Sequence, residues 1–485
     1  MTPTTLAPVE LSGDPFTLGI ASGDPGPGRV VLWTRLAPDP LHGGGMPDDD
    51  VDVVWEVATD DAFTDVVAQG TITAEARYAH SVHAVAELDA GWHHYRFRVG
   101  QYTSPVGRTQ VAPGSADRAV FASASCQNYQ DGFYTAHRDL AAQEPDFVMW
   151  LGDYIYESGA AEVGGDVVRS HGTPEPTDLA AYRDRYALYK SDPDLQASHA
   201  AAPWYVIWDD HEVENNYAGL TPQDDADAAG FAERRRQAYQ AWWEHQPVDL
   251  PPPPDDGSDY RIYRERPWGG LLDITLLDGR QYRTDQACGD VTLNLDPPCA
   301  ETFDADRTML GDEQEQWLLD TLAASTATWN VIGQQTIFGD VTLGGAVLNY
   351  DQWDGYPVER NRIVDSFDAT TNQVVLTGDI HFGGAGIIRS GGRGTGTPVG
   401  VEFVATSISS GGLVDPAVTD VVKAIPDVVD AELDHRGYVL HTVTPEMWSA
   451  EFRMVTSVKV PDSDVFVHAT YAVAAGTNVM TIAAG

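Results

Sequence analysis

The sequence predicts an α/β layered domain preceded by an amino-terminal β-sandwich. Its 485 residues exceed one ordinary core and suffice for two domains, one of them large. Between residues 14 and 113, short alternating strands are punctuated by Gly, Pro and Asp. After Pro113-Gly114-Ser115 the pattern changes to apolar strands separated by helical stretches.

In the first part, Val30-Val31-Leu32-Trp33-Thr34, Val53-Val54-Trp55-Glu56-Val57 and Tyr95-Arg96-Phe97-Arg98-Val99 have the spacing of a fibronectin- or immunoglobulin-like sandwich. No catalytic cluster falls among them, so residues 14–113 read as a packing or substrate-shaping module. In the second part, strands are expected at 119–124, 147–151, 204–208, 272–277, 329–332, 374–376 and 401–405. Leu179, Tyr182, Tyr186 and Tyr189 share one helical face, and a helix over 312–322 opens with the cap-like Asp312 and Glu315. The Pro251-Pro252-Pro253-Pro254 run and the Gly-rich stretch 383–396 are expected to be loops within the domain. No internal repeat interrupts this order.

Hydrophobic residues make up 42% and charged residues 21%, with 13 Trp and 20 Tyr, the composition of an aromatic-rich globular protein. Lys and Arg number 29 against 73 Asp and Glu, a net charge of -44. Such a surface repels nucleic acid and anionic membranes. A site for an anionic ligand then needs strong local positive charge, which points to metal ions. No apolar run is long enough for a transmembrane helix. Met1-Thr2-Pro3-Thr4-Thr5 lacks the basic and apolar segments of a signal peptide, so an exported form is expected to have lost its leader. Cys288 and Cys299 flank a short polar loop that can close as a disulfide in an oxidising compartment, which leaves Cys126 alone.

Open α/β sheets bind ligands beyond the carboxyl ends of their strands. Five expected strands run into polar residues at that position: Ser125-Cys126-Gln127, Gly152-Asp153-Tyr154-Ile155-Tyr156-Glu157, Asp209-Asp210-His211-Glu212, Gly333-Gln334-Gln335-Thr336 and Gly378-Asp379-Ile380-His381-Phe382-Gly383. Each alone reads as a polar turn; their shared position does not. Carboxylates, imidazole, a phenol and a thiol suit hard and borderline cations. Asp153 follows a glycine that lets the backbone approach a metal, and its carboxylate can bridge two ions. Tyr156 can reach the same centre. A phenolate and a thiolate together favour a trivalent ion such as Fe³⁺. Alternation along an extended chain places Asp379 and His381 on one face, one for each ion. His381 then needs an acceptor to fix its tautomer.

These motifs, with Phe16-Thr17-Leu18-Gly19-Ile20-Ala21-Ser22-Gly23-Asp24-Pro25, Val31-Leu32-Trp33-Thr34-Arg35 and Leu277-Asp278-Gly279-Arg280-Gln281-Tyr282-Arg283, resemble the PhoD family of alkaline phosphatases and phosphodiesterases. That family lies within the calcineurin-like metallophosphoesterases, and the likeness spans nearly the whole chain in order. The resemblance implies a metallophosphoesterase domain over 117–475, with two mixed β-sheets flanked by helices, and hydrolysis of phosphate monoesters and diesters. It implies Fe³⁺ with Ca²⁺ as cofactors. Gly152-Asp153-x-x-Tyr156 is also similar to the Gly-Asp-x-x-Tyr of purple acid phosphatases.

By this resemblance Cys126, Asp153, Tyr156 and His381 serve the iron, with Asp153 as the bridge, and Asp210 and Asp379 serve the second ion. Asp in place of His and Asn hardens that second site toward Ca²⁺. Gln334 and Gln335 stand where the superfamily has another His ligand. The ionised ligand set carries about five negative charges against about seven positive on one Fe³⁺ and two Ca²⁺, which leaves about two for a phosphate dianion. Asp153, Asp210 and His211 form the catalytic set. His211, Arg283 and Arg360 are the candidates for holding phosphate. The implied mechanism is in-line attack by an oxygen nucleophile, with both ions stabilising the transition state and His211 stabilising charge or protonating the leaving oxygen.

Two rival readings stand beside it. A phospholipase D or other phosphodiesterase on the same scaffold would prefer a phosphatidylcholine-type diester to a monoester. A secreted calcium-binding or adhesive protein without catalysis would show repeated calcium loops, and the sequence has none. The expected substrates are small-molecule phosphate esters, and the expected location is secreted or periplasmic.

Overall fold

The computed structural model describes residues 10–164, 166–223, 228–289, 295–370 and 372–482. The Met1 to Thr5 reading and part of the loop between Cys288 and Cys299 lie outside them. Two large mixed sheets face each other. In the ten-stranded sheet the parallel strands Ala119–Ala124, Phe147–Leu151 and Trp204–Ile207 form the centre. Arg436–Val443, Met447–Val455 and Val465–Ala474 extend one side as antiparallel neighbours. The seven-stranded sheet has Leu272–Leu276, Trp329–Gly333, Gln373–Thr377 and Thr397–Val404 in parallel at its centre.

The expected strands therefore form, with ends shifted by a few residues. Most of these central strands are buried along their whole length, as parallel strands covered on both faces must be. Phe121, Trp150 and Trp448 of one sheet and Ile274, Val331 and Phe403 of the other share one hydrophobic core. On the outer face of the seven-stranded sheet, Leu318 and Leu322 from the Gly311–Ala324 helix and Ile363 from Pro357–Ser366 pack on Ile332 and Val375.

Two local expectations need correction. The Gly311–Ala324 helix has no side-chain cap, and Glu315 pairs with Arg362 at 2.6 Å instead of closing a capping box. Glu359 accepts the N–H groups of Met309 and Leu310 and Thr308 Oγ1 accepts that of Gly311 at 2.6 Å, so residues outside the expected Asp312 and Glu315 pair serve this end of the helix. The Gly-rich stretch is not all loop: Gly383–Ser390 is a strand between Thr397–Val404 and Val428–Glu432. A Cβ on Gly383 would lie 2.9 Å from Met454 Cε, so this glycine marks close packing rather than a turn. In contrast, the Leu179–Lys190 helix forms as read, capped by Asp178, with Tyr182, Tyr186 and Tyr189 buried.

The amino-terminal strands are divided between two sheets. Ile20–Gly26, Arg29–Arg35 and Ser81–Glu87 complete the ten-stranded sheet, because Ile20–Gly26 pairs in parallel with Trp204–Ile207. Val51–Ala58, Val66–Ala74, Gly91–Val99, Tyr102–Thr103 and Gly107–Val111 form a separate five-stranded sheet. Ile20, Val30 and Leu32 share a core with Val53, Val57 and Phe97. At the joint, a Cβ on Gly23 would lie 2.0 Å from the Pro247 carbonyl oxygen, so only glycine admits this approach.

Candidate metal centre

Four of the expected strands deliver their polar residues to one place. Cys126, Asp153 and His381 bring ligand atoms within 4.8 Å of one another; so do Asp153, Asp210 and His211; so do Asp209, Asp210 and Asp379. Asp153 belongs to the first two groups and Asp210 to the last two, so the three form one continuous run. Tyr156 joins the first: its hydroxyl lies 2.8 Å from Asp153 Oδ2 and 2.9 Å from His381 Nε2. The six residues expected to bind metal are thus together, and Asp209 adds to them.

The strand-end backbone is bent for this purpose. Cys126, Asp153, Asp379 and His381 all have left-handed φ, between 57° and 62°. Left-handed backbone is costly for residues with a Cβ and persists where the surroundings over-determine it. Asp379 and His381 therefore do not lie on an extended chain as alternation implied, yet the bend still sends one to each end of the run. Gly152, at φ 111°, permits the closest approach: a Cβ there would sit 2.4 Å from Asp209 Cβ.

Glu212 ties two of the loops together. Its carboxylate accepts the backbone N–H groups of Asp153 at 3.1 Å, Tyr154 at 2.5 Å and Asp209 at 2.8 Å. The acceptor that His381 required is the Gly411 carbonyl, 2.6 Å from Nδ1. Nδ1 therefore carries the proton and Nε2 offers a lone pair. Ser410 donates to the Tyr156 oxygen at 2.9 Å.

The charge arrangement calls for cations. Asp153 Oδ1, Asp209 Oδ2 and Asp210 Oδ1 are buried without a hydrogen-bond partner. Tyr156 has one proton for two acceptors, Asp153 and His381. Burial and then the Asp351 charge push Asp379 up to about 7. Burial and then Asp153 push the Cys126 thiol well above its ordinary value. A cation relieves each of these conflicts at once, because it satisfies lone pairs and favours every ionised form. The donor set of carboxylates, imidazole, phenol and thiol therefore fits a cluster of hard and borderline ions.

One buried arginine holds the carboxylates from behind. Arg280 donates Nε–H to Asp209 at 2.5 Å and both Nη groups to Asp351 at 2.7 and 2.8 Å. Its Nη2 lies 3.7 Å from Asp210 and 3.6 Å from Asp379. Arg280 and His211 together outweigh burial and keep Asp210 below the ordinary carboxylate range.

His211 Nδ1 lies 2.7 Å from Glu157, and its side chain is 18% exposed. Burial alone would depress the imidazole, but Glu157, Asp210 and Asp153 together hold it well above its usual value. The same contact lowers Glu157 against its own burial, so both partners report an ion pair.

The two arginines expected to hold phosphate are engaged elsewhere. Arg283 is buried, with Nη1 3.1 Å from Asp351 and Nε 3.2 Å from the Tyr356 hydroxyl. Arg360 pairs with Asp354 at 2.6 Å and lines a different cavity. Gln334 and Gln335 serve the scaffold: Gln335 caps the Trp208 and Leu277 carbonyls at 2.7 and 3.1 Å, and Gln334 bonds Thr377 and Trp353. Sequence reasoning missed the roles of Glu212, Arg280 and Asp351. Glu212 and Arg280 lay inside motifs already singled out. Asp351 had no local signal, because its partners are about seventy positions away in the chain.

Candidate cation ligands gathered at strand ends between two facing mixed sheets fit a metal-dependent hydrolase, and the known proteins this chain is similar to make that class a phosphatase. A sequence profile described as "PhoD-like phosphatase" matches residues 121–452, and one described as "PhoD-like phosphatase, N-terminal domain" matches residues 4–113. The chain belongs to the PhoD-like phosphatase family. It is 44% identical over 475 residues to alkaline phosphatase D of Bacillus subtilis (strain 168), which covers 95% of this chain and 81% of that protein. A solved structure of PhoD superposes with a TM-score of 0.94 at 42% identity, over 98% of this chain and 94% of that one. The purple acid phosphatase PPD1 of yellow lupin seeds shares the fold at a TM-score of 0.59 and 11% identity, over 96% of this chain and 75% of that one.

The disulfide read from the loop is present, with Cys288 and Cys299 sulfurs 2.06 Å apart and Cys126 free and buried. No helix among the described residues is long and apolar enough to cross a membrane.

Proposed function

We propose that this chain is a metal-dependent phosphoric ester hydrolase of the alkaline phosphatase type, acting on phosphate monoesters, with diesters as a second substrate class. The observation that carries the reading is the run of three ligand groups sharing Asp153 and Asp210, with three carboxylate oxygens inside it that accept no hydrogen bond. Cys126, Asp153, Tyr156 and His381 suit Fe³⁺, and Asp153, Asp210 and Asp379 suit Ca²⁺, of which the charge balance admits two. Asp209 is committed to Arg280 through one oxygen and has the other to offer. Bound ions would supply Lewis acidity and a positive field for the phosphate.

The chain's own contribution centres on His211. Glu157 takes its Nδ1–H, so Nε2–H is free to stabilise charge on a phosphate oxygen or to protonate the leaving oxygen. Glu212 and Arg280 keep the loops and carboxylates in place, and Arg283 acts through Asp351 rather than on substrate. Residues 14–113 are taken as a β-sandwich module, one of whose layers continues into the domain spanning 117–475. The disulfide and the acidic surface support a secreted or periplasmic location.

Metal analysis of purified protein paired with its visible spectrum tests the cofactors. Iron with roughly two equivalents of calcium and a charge-transfer band is expected, and Cys126→Ala should shift or remove that band. A colourless, fully active zinc protein would refute the assignment. The role of His211 is tested by Glu157→Gln. Loss of that negative charge lowers the imidazolium pKa, so the proton is lost at a lower pH and the alkaline limb of the kcat/KM profile should move down by about one unit or more. An unmoved limb would take His211 out of the proton-donor role.

A further inference from the structure

A second feature adjoins the cluster and is used by none of the steps above. A cavity of about 300 Å³ is walled by Ile380 and Phe382, by Leu343 and Leu348, and by Leu413 and Val421. Among the described residues its lining carries no charged side chain, and its polar members are Asn349 and Gln352. Gln352 donates Nε2–H to Asp379, and Ile380 lies between Asp379 and His381, so cavity and cluster share a wall.

One side of the apolar wall, Ile380 and Phe382, packs in a small cluster with Ile337 and Val404, and the other side is unspent by the fold. Leu413 and Val421 are 57% and 49% exposed and belong to none of the hydrophobic clusters formed by the described residues. In the Thr419–Lys423 helix, Val421 and Val422 line the cavity, whereas Asp420 and Lys423 are not part of its lining. An uncharged apolar hollow beside a cation cluster is unusual surface for a chain of net charge -44.

We propose that this cavity receives the alkyl chain of a soluble phosphate ester and sets substrate preference by chain length. The proposal rests on the phosphatase reading and names its substrate class. Only such an ester brings both an anionic head for the cluster and an apolar tail for the hollow beside it. A second copy of this chain, or an anionic bilayer, would bring like charge against an acidic surface. The volume is at the lower end of small-molecule sites, room for an alkyl chain of several carbons.

The test is phosphate release from n-alkyl phosphates, ethyl to octyl, by the protein purified with its metals, each ester below its micelle-forming concentration and octyl phosphate also above it. The alcohols in this series have nearly equal leaving ability, so changes in kcat/KM report binding of the chain. A rise of about three- to fourfold per methylene is expected until the hollow fills. Leu413→Asp and Val421→Asp should each bring the octyl-to-ethyl ratio toward one; because the ratio is taken within a variant, lost stability cancels. A flat series with p-nitrophenyl phosphate still hydrolysed overturns the cavity's role and leaves the phosphatase reading intact. So does a rise that both substitutions leave unchanged. A rise only above the micelle threshold replaces a single chain by a lipid surface. No hydrolysis of any ester refutes the phosphatase reading and this proposal with it.

Discussion

Asp153→Asn is expected to lower phosphate-ester turnover by at least on the order of a thousandfold and to leave the purified protein depleted of metal. Asp153 sits in two of the three ligand groups, so one substitution weakens both ends of the run. Asparagine preserves the shape and accepts the left-handed backbone at this position. The bond from Asp153 N–H to Glu212 does not involve the side chain. Charge is therefore removed while the loop is kept. Burial, opposed by His211 and reinforced by Asp210, Glu212 and Asp379, pushes the Asp153 carboxyl well above its ordinary value. Ionised Asp153 thus destabilises the metal-free fold near neutral pH. The variant should accordingly unfold at a higher temperature than wild type after chelation, and at a lower one when metals are present. Retention of both turnover and metal would exclude Asp153 as the bridge.

Arg280→Met is expected to destabilise the protein by about 3–5 kcal/mol, the usual cost of leaving buried charges without their partner. The guanidinium is fully buried and contacts Asp209 and Asp351 directly, with Asp210 and Asp379 within 4 Å. Arg280→Lys should recover little, because a point charge cannot repeat the two-pronged bond to Asp351 while also holding Asp209. Chemical denaturation of the metal-loaded protein measures the difference. A loss below about 1 kcal/mol would mean that the bound cations alone neutralise these carboxylates.

The candidate ligands were legible in the sequence because their positions follow from local periodicity, and their division between two ions because of the family resemblance. An apolar run of strand length predicts where its carboxyl end falls, and Cys126, Asp153, Asp210, Asp379 and His381 all stand just beyond such an end. The residues that support them follow no local rule. Glu212 acts on Asp153 and Tyr154 by reaching across to another strand's loop, and Arg280 is identified only by the four carboxylates that converge on it. Arg283 and Arg360 have no local mark that separates a phosphate-binding arginine from a paired one, and each is drawn to a nearby carboxylate, Asp351 and Asp354.

The Gly383–Ser390 strand was hidden because glycine lowers strand propensity. Its two neighbouring strands supply its hydrogen bonds whatever its propensity, and the glycine sits close against Met454 and Phe452. The division of the amino-terminal strands was illegible for a related reason. Each strand is predicted by its own alternation, but which sheet it joins depends on a partner far along the chain, as Gly23 beside Trp204 shows.

That joint limits how the molecule can be re-engineered or shuffled. The amino-terminal segment is not a bead that can be swapped on a string, since it lends a rib to the wall on which the loops of the candidate metal centre are mounted. Any substitute must bring a ribbon of its own to cover the Trp204–Ile207 rim. Left bare, that rim would recruit other chains edge to edge.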